Sequence, residues 1–141
     1  MSKKPILGQV LQEIRELTRK TPASRVSSWD QVVNLTPHSI KVHTSEGVQE
    51  IPPSGFVARL LERGKLWGKL LGVPIVKVKM SVPSLPSSIL SQGLVFIVSD
   101  VARKPFQRKY KNVLFVSPDT GPSSAIRDKA GRIIGVKRFR L

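Results

Sequence analysis

Five cations and two aromatic rings share nine positions in Arg103-Lys104-Pro105-Phe106-Gln107-Arg108-Lys109-Tyr110-Lys111. Guanidinium and ammonium groups neutralise phosphate, and rings stack on bases or riboses, so this mixture suits a nucleic-acid surface. The plainer alternative is a solvated loop whose Phe106 and Tyr110 plug into the core. Lys137, Arg138, Phe139 and Arg140 repeat the chemistry at the end of the chain, as a basic tail that is either solvated or ordered on phosphate. A third group, Arg63, Lys65, Lys69, Lys77 and Lys79, has no acid among it between residues 63 and 80. Stretches 63–80 and 102–141 together carry +14 of a formal net charge of +15. Charge polarised in this way sets up a directed field that concentrates polyanions, which a uniformly basic surface does not.

Enzymatic chemistry is poorly supplied. His38 and His43 stand five apart, and with no cysteine in the chain they lack the partners of a zinc site. A turn histidine in Thr36-Pro37-His38 is the simpler reading of the first. Gly121-Pro122-Ser123-Ser124 is not a nucleophile elbow, and no Gly-x-x-x-x-Gly-Lys-Ser/Thr phosphate loop occurs. Asp119, Arg127 and Asp128 suit turn hydrogen bonds and a structural ion pair better than a reactive site. No catalytic residue, metal ligand or cofactor is assigned.

The elements that must position these groups follow from periodicity. Residues 5–20 are expected to form an amphipathic helix, with Ile6, Leu7, Val10, Leu11, Ile14 and Leu17 at helical spacing and Pro5 in the first turn. Thr21-Pro22-Ala23-Ser24 then looks like a hinge. Short β runs follow at Gln31–Leu35, Ser39–Thr44, Val48–Ile51, Phe56–Leu60, Val73–Met80, Leu94–Ser99 and Val113–Val116. Ser45-Glu46-Gly47 suggests a hairpin, and Pro52-Pro53-Ser54-Gly55 a tight turn. In Val73–Met80, Lys77 and Lys79 share a strand face about 7 Å apart, close to the spacing of successive phosphates. Residues 61–71 are expected as a short helix that turns Leu66, Leu70 and Leu71 inward and Lys65 and Lys69 outward. Trp67 is then a core anchor before it is a stacking platform. Trp29 has no assigned role. Residues 81–93 are an uncharged Pro/Ser-rich connector, and 132–139 alternate partly like a last strand.

At 141 residues, the chain is expected to form one core with an arm: residues 1–28 as N-terminal basic arm and helix, and 29–141 as a β-rich domain with a basic tail. Its class is α+β, mainly β, a compact barrel- or sandwich-like domain preceded by the amphipathic helix. Glu13, Arg15 and Glu16 interrupt any secretory apolar core, and no apolar run approaches the roughly 20 residues of a membrane span. The expected location is cytoplasmic, or inside a virion or ribonucleoprotein particle.

The chain carries the phrases Asn34-Leu35-Thr36-Pro37-His38, Ile51-Pro52-Pro53-Ser54-Gly55-Phe56-Val57-Ala58-Arg59, Gly72-Val73-Pro74-Ile75-Val76, Ile97-Val98-Ser99, Ser117-Pro118-Asp119-Thr120-Gly121-Pro122-Ser123-Ser124-Ala125-Ile126-Arg127-Asp128 and Gly131-Arg132-Ile133-Ile134-Gly135. In their order and spacing they resemble a group of small uncharacterised bacterial, archaeal and phage-associated proteins. The resemblance covers about residues 33–139. It implies a shared compact fold and brings no activity, catalytic residue or cofactor. Typical members look near neutral, so the bases at 63–69 and 103–111 read as an addition to a common scaffold.

The expected function is non-enzymatic: a structural nucleic-acid-binding protein on the phosphate backbone of a viral or ribosomal-type nucleoprotein assembly, with RNA and DNA equally open. Its expected contacts are Arg63, Lys65, Lys69, Lys77, Lys79, Arg103, Lys104, Arg108, Lys109, Tyr110, Lys111, Lys137, Arg138 and Arg140. The helix at 5–20 would meet protein neighbours. One alternative is an assembly protein whose basic faces meet acidic protein surfaces. Another is a small hydrolase or ligand-binding domain using His38 and Asp119.

Overall fold

The continuous apolar runs Leu94–Val98 and Val113–Val116 must bury both faces of the strands they form. The computed structural model describes residues 26–141, so the helix expected at 5–20 lies outside the described residues. A single 3-10 turn at Trp29–Gln31 leads into β1 (Val32–Asn34), followed by β2 (Ile40–Thr44) and β3 (Gly47–Ile51). Next come β4 (Leu61–Leu70), β5 (Val73–Ser81), helix α1 (Ser87–Leu90), β6 (Val95–Ile97) and helix α2 (Asp100–Lys109). The chain closes with β7 (Leu114–Pro118), β8 (Ala125–Arg127), β9 (Ile133–Val136) and β10 (Phe139–Arg140). The described domain is mainly β, as expected.

One sheet runs β1-β6-β7-β10, with β1, β6 and β7 parallel and β10 antiparallel. Parallel neighbours need a crossover, and α2 supplies it between β6 and β7. Phe96 and Phe115 point to one side of this sheet, where they meet Leu35, Leu85, Ile89, Val98, Ala102 and Phe106. Val95, Ile97 and Val116 point to the other side and pack with Val42, Ile51 and Val136 of the second sheet, β3-β2-β9-β8. A sheet covered on both faces is the usual environment of parallel strands. The body is thus three layers, with α1, α2 and their flanking segments outside the first sheet.

Four expectations change. Residues 61–71 are not a helix: Leu61–Leu70 pairs antiparallel with Val73–Ser81 in a two-stranded ribbon. The stretch 103–111 is not a loop, because its first seven residues complete α2 despite Pro105 inside it. Val57 and its neighbours form no regular strand; there Ala58 is buried and donates its N–H to the Leu35 carbonyl. The uncharged connector is partly ordered as α1, which sends Ile89 into the core. The hairpin at Ser45-Glu46-Gly47 joins β2 to β3 as expected. No helix of the described residues is long and apolar enough to cross a membrane.

Candidate nucleic-acid interface

Among the described residues the ribbon packs against almost nothing but itself. Of its residues only Gly68 and Ile75 are even half-buried. Opposed residues of an antiparallel pair share a face, and successive residues alternate, so the register assigns every side chain. Arg63 lies opposite Lys79 and Lys65 opposite Lys77. Four cations therefore make two adjacent cross-strand pairs on one face. Like charges directly opposite one another destabilise a strand pair, so this arrangement has a cost that local structure does not offset. No side-chain hydrogen bond or ion pair among the described residues engages any of the four.

Lys69 parts from them. It lies opposite Pro74, which puts it on the other face with Leu66, Val76, Val78 and Met80. That face also holds Glu62, opposite Met80, and Gly64, opposite Val78. The register slips between Leu66 and Gly68, leaving Trp67 as an extra residue without a cross-strand partner. Trp67 is 72% exposed, so the expected core anchor is a surface ring, two positions along β4 from Lys65.

In the second basic stretch the structure divides the cations by task. Arg103 is buried: its Nε donates to Ser117 Oγ at 3.2 Å and its Nη2 to Asp100 Oδ1 at 3.1 Å. Ser117 Oγ in turn donates to Asp100 at 3.0 Å, closing a triangle between α2 and β7. Hydrogen bonds from Arg103 and Ser117 hold the Asp100 carboxyl below its ordinary range. Arg103 is therefore a structural residue rather than a phosphate contact. Tyr110 is structural too, with its hydroxyl accepting from Leu85 N–H at 2.7 Å and its ring 6.2 Å from that of Phe115. Lys109 extends its Nζ to the Val82 carbonyl at 3.0 Å and to Ser84 Oγ at 3.3 Å, tying α2 to the root of the ribbon. Lys104, Arg108 and Lys111 are exposed. Lys104 and Arg108 lie one helical turn apart and project on the same side of α2.

The expected basic tail is strand β10 instead, with Phe139 paired to Pro118 and Arg140 to Ser117. Arg138 donates from Nε to Asp119 Oδ2 and from Nη2 to Ser123 Oγ at 2.8 Å. Asp119 also accepts from Gly121 N–H at 3.0 Å, and Arg138 with this backbone donor lowers its pKa from the ordinary carboxylate value. Lys137 and Arg140 remain exposed. Arg140 lies close enough to depress both Asp100 and Asp119 further.

The alternative site fares differently. His38 is exposed, and its backbone carbonyl accepts from Asn34 Nδ2 and Thr36 Oγ1, which makes it a turn residue. Asp119 is committed to Arg138, and no hydrogen bond among the described residues joins it to His38. His43 is half-buried on β2. Arg127 donates to the Gly131 carbonyl, while Asp128 receives Arg132, so the Asp119 and Asp128 clusters are separate turn structures. Among the described residues no group of three or more His, Asp or Glu side chains is arranged to hold a metal ion.

Two residues the sequence did not single out join α2 to its surroundings. Gln107 receives Phe115 N–H and donates to the carbonyls of Tyr110 and Val113, and Ser117 bridges Arg103 to Asp100. A polar residue closing the apolar run Val113–Val116 was the available signal for Ser117, while Gln107, set among cations, offered none. No protein-family model matches the chain, and neither does any curated protein or solved structure.

Proposed function

We propose that the protein is a non-enzymatic structural nucleic-acid-binding component of a nucleoprotein assembly, and that the β4–β5 ribbon is its principal grip on phosphate. The observation that carries this reading is the pair of opposed like charges, Arg63 with Lys79 and Lys65 with Lys77, on one exposed face. Such a face costs stability in isolation and gains from a polyanion that fills the space between its charges. Trp67 adds an exposed ring for stacking on an unpaired base. Lys104, Arg108 and Lys111 extend the field from the body, while Lys137 and Arg140 add charge near β10. Binding is backbone-directed and tolerant of sequence, for either RNA or DNA.

Fluorescence-anisotropy titrations against duplex DNA and structured RNA test it, run from about 50 to about 200 mM salt. The expected result is affinity that falls steeply with salt. Replacing Arg63, Lys65, Lys77 and Lys79 together with Gln should reduce the magnitude of the duplex-DNA log–log slope by about 3 to 4, one unit or slightly less for each phosphate no longer neutralised. An unchanged slope in that variant rules out the ribbon as the grip.

A further inference from the structure

The second face of the ribbon matches itself. Its rows run Glu62/Met80, Gly64/Val78, Leu66/Val76 and, past the bulge, Lys69/Pro74. Leu66 is 60% exposed, and Val76, Val78 and Met80 are each about half exposed, an apolar stripe that the described residues leave open. An isolated two-stranded ribbon is marginal in water, so this stripe calls for a partner surface. The only acid of the face stands at the root end, and its only base stands toward the tip on the same strand, β4.

We propose that the occupant is a second copy of this chain, with the two ribbons laid face to face and antiparallel about a two-fold axis. The axis crosses between the Gly64 and Leu66 rows and lies in the interface plane, so β4 faces β4. Two matches follow from that one operation. Glu62 of one copy lies over Lys69 of the other, twice. The tip of each ribbon reaches the root of the other, since a strand of this length spans about 30 Å. Leu71, at the tip, is 96% exposed. The root has a depression of about 440 Å³ lined by Leu60, Met80, Val82 and Pro105, with Arg108 and Lys109 at its side. Met80 belongs to both the stripe and the depression, so the two are continuous.

In this arrangement the cations Arg63, Lys65, Lys77 and Lys79 of both copies point outward, away from the interface. A partner of different chemistry, or residues 1–25 of the chain itself, explains the exposed stripe but not the placing of one acid, Glu62, and one base, Lys69, at equal distances from its middle.

The test is the mass of the full chain in the absence of nucleic acid, followed by sedimentation equilibrium and light scattering in about 0.15 M salt. The unmodified chain is expected as a dimer. Lys69→Glu sets two acids against each other at both ends of the interface, and Glu62→Lys sets two bases, so each should weaken association by at least about tenfold. Mixing these two variants should restore a dimer made of one copy of each, and the double variant Glu62→Lys/Lys69→Glu should restore a self-dimer. Both positions are exposed, and recovery on mixing shows at once that each variant is folded. A monomer at about 100 µM, a dimer insensitive to both reversals, or failure to recover on mixing overturns the proposal. So does a dimer that is lost on deleting residues 1–25 yet indifferent to Lys69→Glu, because that assigns the contact to the N-terminal segment. The nucleic-acid reading stands or falls separately, through the salt dependence above.

Discussion

The two basic stretches look alike in the sequence and behave differently in the fold. On the β4–β5 ribbon every cation projects from an exposed strand, and no side chain among the described residues neutralises it. In the body several of the cations are internal fasteners: Arg103 holds Asp100 and Ser117, Arg138 holds Asp119 and Ser123, and Arg132 holds Asp128. Net charge counts both classes equally. What separates them is whether the fold brings a carboxylate or carbonyl within reach, so the same residue type serves stability in one place and is left for a partner in the other.

The largest effect expected from this contrast is on binding. Replacing Arg63, Lys65, Lys77 and Lys79 with Gln should weaken duplex-DNA affinity roughly 100-fold or more at about 0.1 M salt. The melting temperature should hold or rise slightly, because two opposed like-charge pairs disappear, each worth about 0.2 to 1 kcal/mol. Affinity by anisotropy and stability by calorimetry on the same variant give the answer. A loss of stability with retained affinity would reverse the roles of the two regions.

Arg103→Ala probes the opposite corner. It removes a buried guanidinium and leaves the Asp100 and Ser117 oxygens to rearrange, a cost of about 2 to 3 kcal/mol. In a domain of this size that should lower the melting temperature by about 10 °C. The salt slope of binding at a temperature where the variant is folded should not change. A slope that falls by a full unit instead would return Arg103 to the phosphate contacts.

How much of this was legible depends on the kind of signal. The hairpin from β2 to β3 is written locally, in alternation on either side of a Ser-Glu-Gly turn, and the core strands at Val95–Ile97 and Leu114–Pro118 announce themselves as apolar runs. The stretch 61–71 misled because Lys65 with Lys69 and Leu66 with Leu70 imitate a helical repeat. What overrides it is pairing beyond the helical turn: nine of the ten residues of β4 pair with the alternating strand that follows, across a Leu71-Gly72 turn. Pro105 hid α2 in the same way, although Ala102 and Phe106 recur one helical turn apart and both reach the core. The split among cations was not legible at all. Arg138 and Asp119 are 19 residues apart, and nothing local tells Arg138 from Lys137 beside it.

Acid provides a milder separation of the two regions. Asp100 is held below the ordinary carboxylate pKa by Arg103 and Ser117, and Asp119 by Arg138 and Gly121 N–H. A carboxylate whose folded pKa is lowered contributes stability that is present above its unfolded value and lost as pH falls through the folded one. The body should therefore begin to lose stability as pH drops below about 4, through both groups. The ribbon carries one acid, Glu62, so its cations keep their charge through the same range. Chemical denaturation at a series of pH values should show Asp100→Asn/Asp119→Asn less stable than the parent near neutrality and less sensitive to acid. Parallel curves for the two proteins would mean that other carboxylates govern the acid limb.

The smallest and most diagnostic effect sits at the ribbon tip. Leu70 pairs with Val73, so Leu71 and Gly72 form a two-residue turn, with φ of 49° and 83°. Turns with positive φ at both central positions favour Asn-Gly, and a leucine in the left-handed region costs about 1 to 2 kcal/mol. Leu71→Asn should relieve part of this strain and slow hydrogen exchange along the ribbon. If the leucine is there only as a turn residue, the change should be beneficial throughout. If its side chain fills the depression at the root of a second ribbon, the same change should loosen the dimer several-fold even as the ribbon itself becomes more ordered. Opposite signs in hydrogen exchange and in sedimentation would tie the strained leucine to the contact, and equal signs would leave it a feature of the turn alone.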